Sequence, residues 1–132
     1  MIRLLDTNTC IYFLNRASER IVVRFKELSP YQIKLPSITV AELYYGAEKS
    51  KFKSRNRDRV KRFVSTFEIV PFDEKACSAY ANIRYSLERS GTHVGPMDLL
   101  IASIGLAHNF TVVTNNVMEF QRVKGLNLEN WV

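Results

Sequence analysis

Cysteine, histidine and tryptophan are scarce in this chain, with two, two and one among 132 residues. Cys10 and Cys77 stand in unrelated contexts without C-x-x-C spacing, which excludes a disulfide framework and a thiolate zinc site. Both are expected to be buried or partly buried thiols. His93 and His108 share no metal-ligand spacing, so a zinc centre has no support, and each reads as a structural or surface residue. Neither Ser37 nor Ser103 has a signalled histidine and acid partner, which leaves serine hydrolysis without a basis. Only four prolines and five glycines are present, against 46% hydrophobic and 24% charged residues, and that balance excludes a disordered chain. No run of 18 uncharged apolar residues occurs, and Asp6 interrupts the first apolar stretch. The expectation is a cytoplasmic protein with no membrane partner. At this length the chain reads as one domain over 1–132, able to bury roughly two thirds of its unfolded surface.

Acidic charge is in the minority, thirteen residues against nineteen basic ones. The whole excess of +6 lies in residues 48–62, EKSKFKSRNRDRVKR, where eight basic residues meet two acids and leave eleven of each elsewhere. A concentrated positive segment on a balanced body suits phosphate backbones or acidic protein surfaces, and equally a solvated helix face.

Short apolar runs alternate with helical patterns. IRLL at 2–5 predicts a strand ending at Asp6, and Thr7, Asn8 and Thr9 supply turn or cap chemistry before CIYFL. Ile21, Phe25 and Leu28 recur at helical spacing before Pro30 breaks the pattern. IKLP at 33–36 predicts a second strand. Ser37 is the expected cap of the helix carrying ITVAELYYGA, and Gly46 its expected stop. Residues 51–67 predict a basic helix with Phe52, Val60, Phe63, Val64 and Phe67 as its apolar elements. EIVPF at 68–72 predicts an edge or terminal strand because of Pro71. Asp73 is placed to cap a helix on which Ala76, Tyr80, Ile83 and Leu87 face a core. Gly91 and Gly95 flank a linker, and Pro96 and Asp98 open the helix of LLIASIGLAH. TVVT at 111–114 predicts a buried strand, Asn115 and Asn116 a turn, and LNLENW a last strand. Phe120, Trp131 and Tyr12 read as core aromatics.

Such alternation predicts an α/β fold, a mostly parallel sheet with helices on both faces. Sheets of this kind place their sites beyond the carboxyl ends of the strands. Asp6 follows the first strand, Glu42 lies in the helix after the second, Asp98 opens the helix leading into TVVT, and Glu119 follows that strand. Carboxylates gathered in one cleft repel unless a cation or protons neutralise them. Mg²⁺ or Mn²⁺ with a few carboxylates, waters and substrate phosphate fits that requirement, and a hydrolytic nuclease follows. Each acid also has a plainer reading: Asp6 as a cap, Asp98 as a first-turn acid, and Glu42 as the partner of a buried arginine.

Across nearly its whole length the chain resembles the PIN-domain ribonucleases, and among them the VapC toxins of bacterial toxin–antitoxin pairs. The motifs that carry this are LLDTNTCIYFL, ITVAELYYGA, GPMDLLIASIGLAH, TVVTNNVMEF and VKGLNLENW. The resemblance implies a PIN-like fold and a Mg²⁺-dependent endoribonuclease, with Mn²⁺ as a possible substitute. Asp6, Glu42 and Asp98 become the expected catalytic, metal-coordinating residues, Glu42 either as ligand or as water-orienting base. Many relatives carry an aspartate at or beside Asn116, and Glu119 is expected to act there through a water. Thr7, Asn8, Thr114, Asn115 and Asn116 have supporting roles around the metal or the scissile phosphate. The resemblance also implies cleavage of tRNA, at the anticodon loop of initiator tRNA, with inhibition of translation. Lys49, Lys51, Lys53, Arg55, Arg57 and Arg59 are the expected RNA-binding residues. A VapB-like antitoxin, a homodimer, a toxin–antitoxin hetero-oligomer and operator DNA reached only through the antitoxin complete the implied partners. Tyr44 and Tyr45 are candidates for the antitoxin groove or the dimer contact. The competing readings are an inactive scaffold that binds RNA or antitoxin, and a phosphodiesterase acting on DNA.

Overall fold

The computed structural model describes residues 1–132. Five short strands form one sheet: β1 (Arg3–Leu5), β2 (Ile33–Pro36), β3 (Glu68–Val70), β4 (Thr111–Val113) and β5 (Asn127–Glu129). Their order is β3-β2-β1-β4-β5, and every neighbouring pair is parallel. The sheet is thus parallel throughout, and β3 occupies an edge, with Pro71 just past its last residue. Seven helices connect the strands: α1 (Thr7–Leu14), α2 (Glu19–Glu27), α3 (Ser37–Glu48), α4 (Lys53–Ser65), α5 (Glu74–Arg89), α6 (Pro96–His108) and α7 (Val117–Phe120).

Side chains alternate across a strand, and here the alternation splits the core in two. Leu4 and Val112 point into one cluster with Ala76, Ile83 and Leu87 of α5, Leu99, Ile101 and Ile104 of α6, and Phe120. Leu5, Ile33, Leu35 and Val113 point the other way, into a cluster with Cys10, Ile21, Leu43, Ala47, Val60, Phe63 and Trp131. Helices α1–α4 therefore cover one face and α5–α7 the other. The approach is tightest between α6 and β4, where a Cβ added at Gly105 would stand 2.6 Å from Val112 Cγ2. Asn109 closes α6 in the left-handed conformation, φ 55°, which asparagine tolerates better than most residues.

Several expectations need correction. Ser37 is the first residue of α3 and not its cap; the position before the helix is Pro36, whose fixed φ supplies the extended geometry without a side-chain hydrogen bond. Gly46 does not stop α3, which runs to Glu48. Phe52 lies just outside α4 and is exposed, so it is no core element of the basic helix. Cys77 is exposed on α5, while Cys10 is fully buried. Of the predicted core aromatics Phe120 and Trp131 are buried, one in each cluster, and Tyr12 is half-buried against the cluster of Trp131.

Candidate active site

The order of the sheet reverses at β1, from which the chain runs outward through β2 and β3 on one side and β4 and β5 on the other. In open α/β sheets such a reversal leaves a crevice beyond the carboxyl ends of the strands. Asp6 and Thr114 are the residues that follow β1 and β4 there. The Asp6 N–H donates to the Val113 carbonyl at 3.1 Å, extending the β1–β4 pairing one step past the strands. Asp6 is also the N-cap of α1, its Oδ1 accepting from the Thr9 N–H at 2.9 Å. Cap and candidate ligand are thus one residue: one oxygen is spent on the helix, and the side chain is only 3% exposed. Burial pushes its carboxyl above the ordinary aspartate value against the hydrogen bonds from Thr114 and Thr9, and the charge of Glu42 adds to the rise.

Glu42 reaches the crevice from α3. Its Oε1 accepts a 2.6 Å hydrogen bond from the Thr7 hydroxyl, and no lysine or arginine forms an ion pair with it, so the buried-arginine reading does not hold. Thr39, one turn before Glu42, donates to the Leu5 carbonyl at 3.1 Å and ties α3 to the end of β1.

Asp98, in the first turn of α6, is pushed up to about 6. Burial is the largest cause, followed by the charges of Glu119 and Asp6; the Asn116 amide opposes them, and Glu42 adds a smaller push. Asp98 therefore senses three other carboxylates, Glu119, Asp6 and Glu42, and Asp6 senses Glu42 in turn. Asn116 lies between two of them, its Nδ2 donating to Glu119 Oε2 at 2.6 Å and to Asp98 Oδ2 at 3.4 Å. Its own N–H rests on the Thr114 hydroxyl at 2.9 Å. The Gly95 N–H donates to Glu119 Oε1. That hydrogen bond is the main reason the Glu119 carboxyl sits below its ordinary range; partial burial opposes it, and Asn116, Arg122 and His93 reinforce it.

No three His, Cys, Asp or Glu side chains form a group that could hold a metal on their own. The acids approach one another without closing into a cage. Mg²⁺ commonly takes one or two carboxylates and fills its remaining positions with water and phosphate oxygens, so the donor set suits an ion that arrives with its substrate. Asn8 and Asn115 are exposed and form no side-chain hydrogen bond, in contrast to Thr7, Thr114 and Asn116.

The basic segment divides in the same way. Lys53 and Arg57 are turned onto Glu48, Lys49 lies over the Tyr45 ring and Lys51 over Phe52. Arg55 is exposed and forms no ion pair, and Arg59 donates to the Leu14 carbonyl. Arg59 also lines an open cleft of about 290 Å³ between α1, α3 and α4 that has Glu42 on its wall. Tyr44 packs on the core and Tyr45 is exposed. The Gly95 N–H had no side-chain signature in the sequence, although the G-P pair before Met97 and Asp98 marks the turn that presents it.

The PIN domain family model matches residues 3–126. Ribonuclease VapC2 of Rickettsia felis is 42% identical over 132 residues, covering 99% of this chain and 98% of that protein. The tRNA(fMet)-specific endonuclease VapC of Salmonella typhimurium is 42% identical over 128 residues, covering 97% and 96%. Among solved structures, DNA-bound VapBC from Salmonella typhimurium superposes with a TM-score of 0.95 at 40% identity, covering 100% of this chain and 99% of that one. VapBC2 from Rickettsia felis, bound to a promoter DNA fragment, gives 0.93 at 41% identity, with both chains covered in full. With its parallel sheet, its acids at the crevice and relatives matched end to end, the chain belongs to the PIN-domain family, and within it to the VapC ribonucleases.

Proposed function

We propose that the protein is a divalent-metal-dependent endoribonuclease that cuts tRNA, at the anticodon loop of the initiator species. The observation that carries this reading is the gathering of acids beyond β1 and β4, with Asn116 bridging Asp98 and Glu119 and with burial and the neighbouring charges pushing the Asp98 carboxyl up to about 6. Carboxylates held at that cost to their charged forms call for a cation. Asp6 and Asp98 would hold Mg²⁺, or Mn²⁺ in its place. The ion would supply Lewis-acid polarisation of the phosphodiester and acidify a water.

The chain's own groups do the rest. Glu42, fixed by the Thr7 hydroxyl, would serve as a further ligand or orient the attacking water. Glu119, fixed by Gly95 and Asn116, would support the ion through a water. Thr114 holds Asp6 and Asn116 in register. Lys49, Lys51, Arg55 and Arg59 of the basic segment carry no carboxylate partner and are offered to RNA, with Arg59 on the cleft that holds Glu42, while Lys53 and Arg57 would have to leave Glu48. The relatives named above support the substrate, and the VapBC complexes support a VapB-like antitoxin that covers the site, with operator DNA reached through that antitoxin. A toxin homodimer within such an assembly and a cytoplasmic location complete the proposal.

Cleavage of a purified tRNA pool by antitoxin-free protein, with Mg²⁺, with EDTA and with Asp6→Asn, tests it. A discrete cut mapped by primer extension, lost in EDTA and in the variant, is the expected result. Folded protein that cuts nothing across a range of Mg²⁺ and Mn²⁺ would remove the tRNA reading.

A further inference from the structure

A basic corner stands at the Glu119 end of the carboxylate row, outside the segment singled out by charge. Residues 91–95 are fastened to the turn after α7 by two hydrogen bonds. Arg122 Nη1 donates to the His93 carbonyl at 2.5 Å, and the Gly95 N–H donates to Glu119. Arg122 and His93 are both exposed. Arg3, Arg24, Lys34, Lys53, Arg57 and Arg84 each sit within ion-pair distance of a carboxylate. Arg122 does not. Its one hydrogen bond goes to a neutral carbonyl, which aims the guanidinium and leaves most of its five N–H donors open, while its charge acts on Glu119 through space without an ion pair. At the far end of the row Arg59, likewise without a carboxylate partner, shares a cleft with Glu42.

An RNA strand approaching four carboxylates meets repulsion at every phosphate, and a divalent ion relieves it only at the bond being cut. A fixed guanidinium beside Glu119 relieves it at a neighbouring phosphate, and its planar fork matches phosphate oxygens. We propose that Arg122 is a substrate-binding residue that takes a backbone phosphate flanking the scissile one, on the Glu119 side of the site. This rests on the nuclease reading, which it extends by assigning a direction in which the strand leaves the acids.

The test separates binding from cutting. Fluorescence anisotropy of labelled initiator tRNA on antitoxin-free protein in EDTA, over a range of salt, and cleavage of the same tRNA in Mg²⁺ are measured for the wild type, Arg122→Gln and Arg122→Lys, with thermal unfolding as the check on folding. The expected result is a roughly tenfold weaker Kd for Arg122→Gln, the low end for a hydrogen bond to a charged group. The slope of log Kd against log salt should become shallower by about 0.7, one single-strand phosphate contact. Arg122→Lys should restore the slope. An unchanged Kd and slope in folded Arg122→Gln overturns the assignment. So does a variant that binds normally and loses only the rate of cutting, because that outcome assigns Arg122 to bracing the Gly95–Glu119 contact. Wild type that binds tRNA but leaves it intact counts against the nuclease reading and not against Arg122.

Discussion

Replacing Asp98 by asparagine should inactivate the enzyme and stabilise the metal-free protein. Asp98 ionises near 6 in the fold against an ordinary 3.8, so between those values the folded state holds a proton that the unfolded chain has released. Stability therefore falls as pH rises from about 4 to about 6, and above that the full cost of the buried charge is present. Taken at face value the shift corresponds to about 3 kcal/mol. Asp98 is only half-buried, and solvent screening reduces this to about 1–2 kcal/mol. The amide keeps an oxygen for the Asn116 donor and carries no charge. Asp98→Asn in EDTA should then exceed wild type by roughly 4–8 °C in Tm at pH 7.5, with the difference closing towards pH 4. Thermal unfolding from pH 4 to 8 measures this directly. Addition of Mg²⁺ should raise the Tm of wild type and leave the variant unmoved. A variant that is no more stable than wild type at pH 7.5, or a gain of equal size at pH 4, would refute the electrostatic account of the site.

Thr7→Val removes the 2.6 Å hydroxyl donation to Glu42 and should lower kcat about 10–100-fold, as loss of a group that orients a metal-site ligand does, while circular dichroism stays unchanged and Thr7→Ser restores the rate. Gly105→Ala gains roughly 1 kcal/mol of helix propensity. The new Cβ at 2.6 Å from Val112 Cγ2 should nevertheless leave a net loss of about 1–2 kcal/mol in urea unfolding, since overpacking costs more; Val112→Ala should recover part of it. Glu48→Gln releases Lys53 and Arg57 from surface pairs and should change stability by less than about 0.5 kcal/mol, while strengthening tRNA binding at low salt.

The sequence was most informative where the residue that starts an element is also the residue that acts. Asp6 and Asp73 each cap a helix through their own carboxylate, and that local chemistry is visible in a string of letters. The alternation of strand and helical patterns carried the parallel sheet, and with it the convergence of Asp6, Glu42 and Asp98. Helix α7 was not visible because four residues, VMEF, give less than two turns of periodicity. The stop at Gly46 failed because a glycine ends a helix only when the chain needs the left-handed region there. Nothing lies within 4 Å of a Cβ at that position, yet Ala47 is buried against the core and holds the helix on for another half-turn. The pairing of Lys53 and Arg57 with Glu48, and of Arg122 with the His93 carbonyl, depends on side-chain geometry that spacing does not encode.

The double-sided core has a consequence for control. Asp6 caps and Glu42 rides on helices that pack on one face of the sheet, while Asp98 and Glu119 ride on helices that pack on the other. The two halves meet through strands β1 and β4 and through Ile38 of α3, which packs on the α5–α6 side. On the proposed reading the site is in effect a two-key lock, with two of its acids carried by each half. An inhibitor need not fill the cleft to silence it: a ligand gripping a single helical layer and sliding it a fraction of an ångström against the other would take the keys out of alignment.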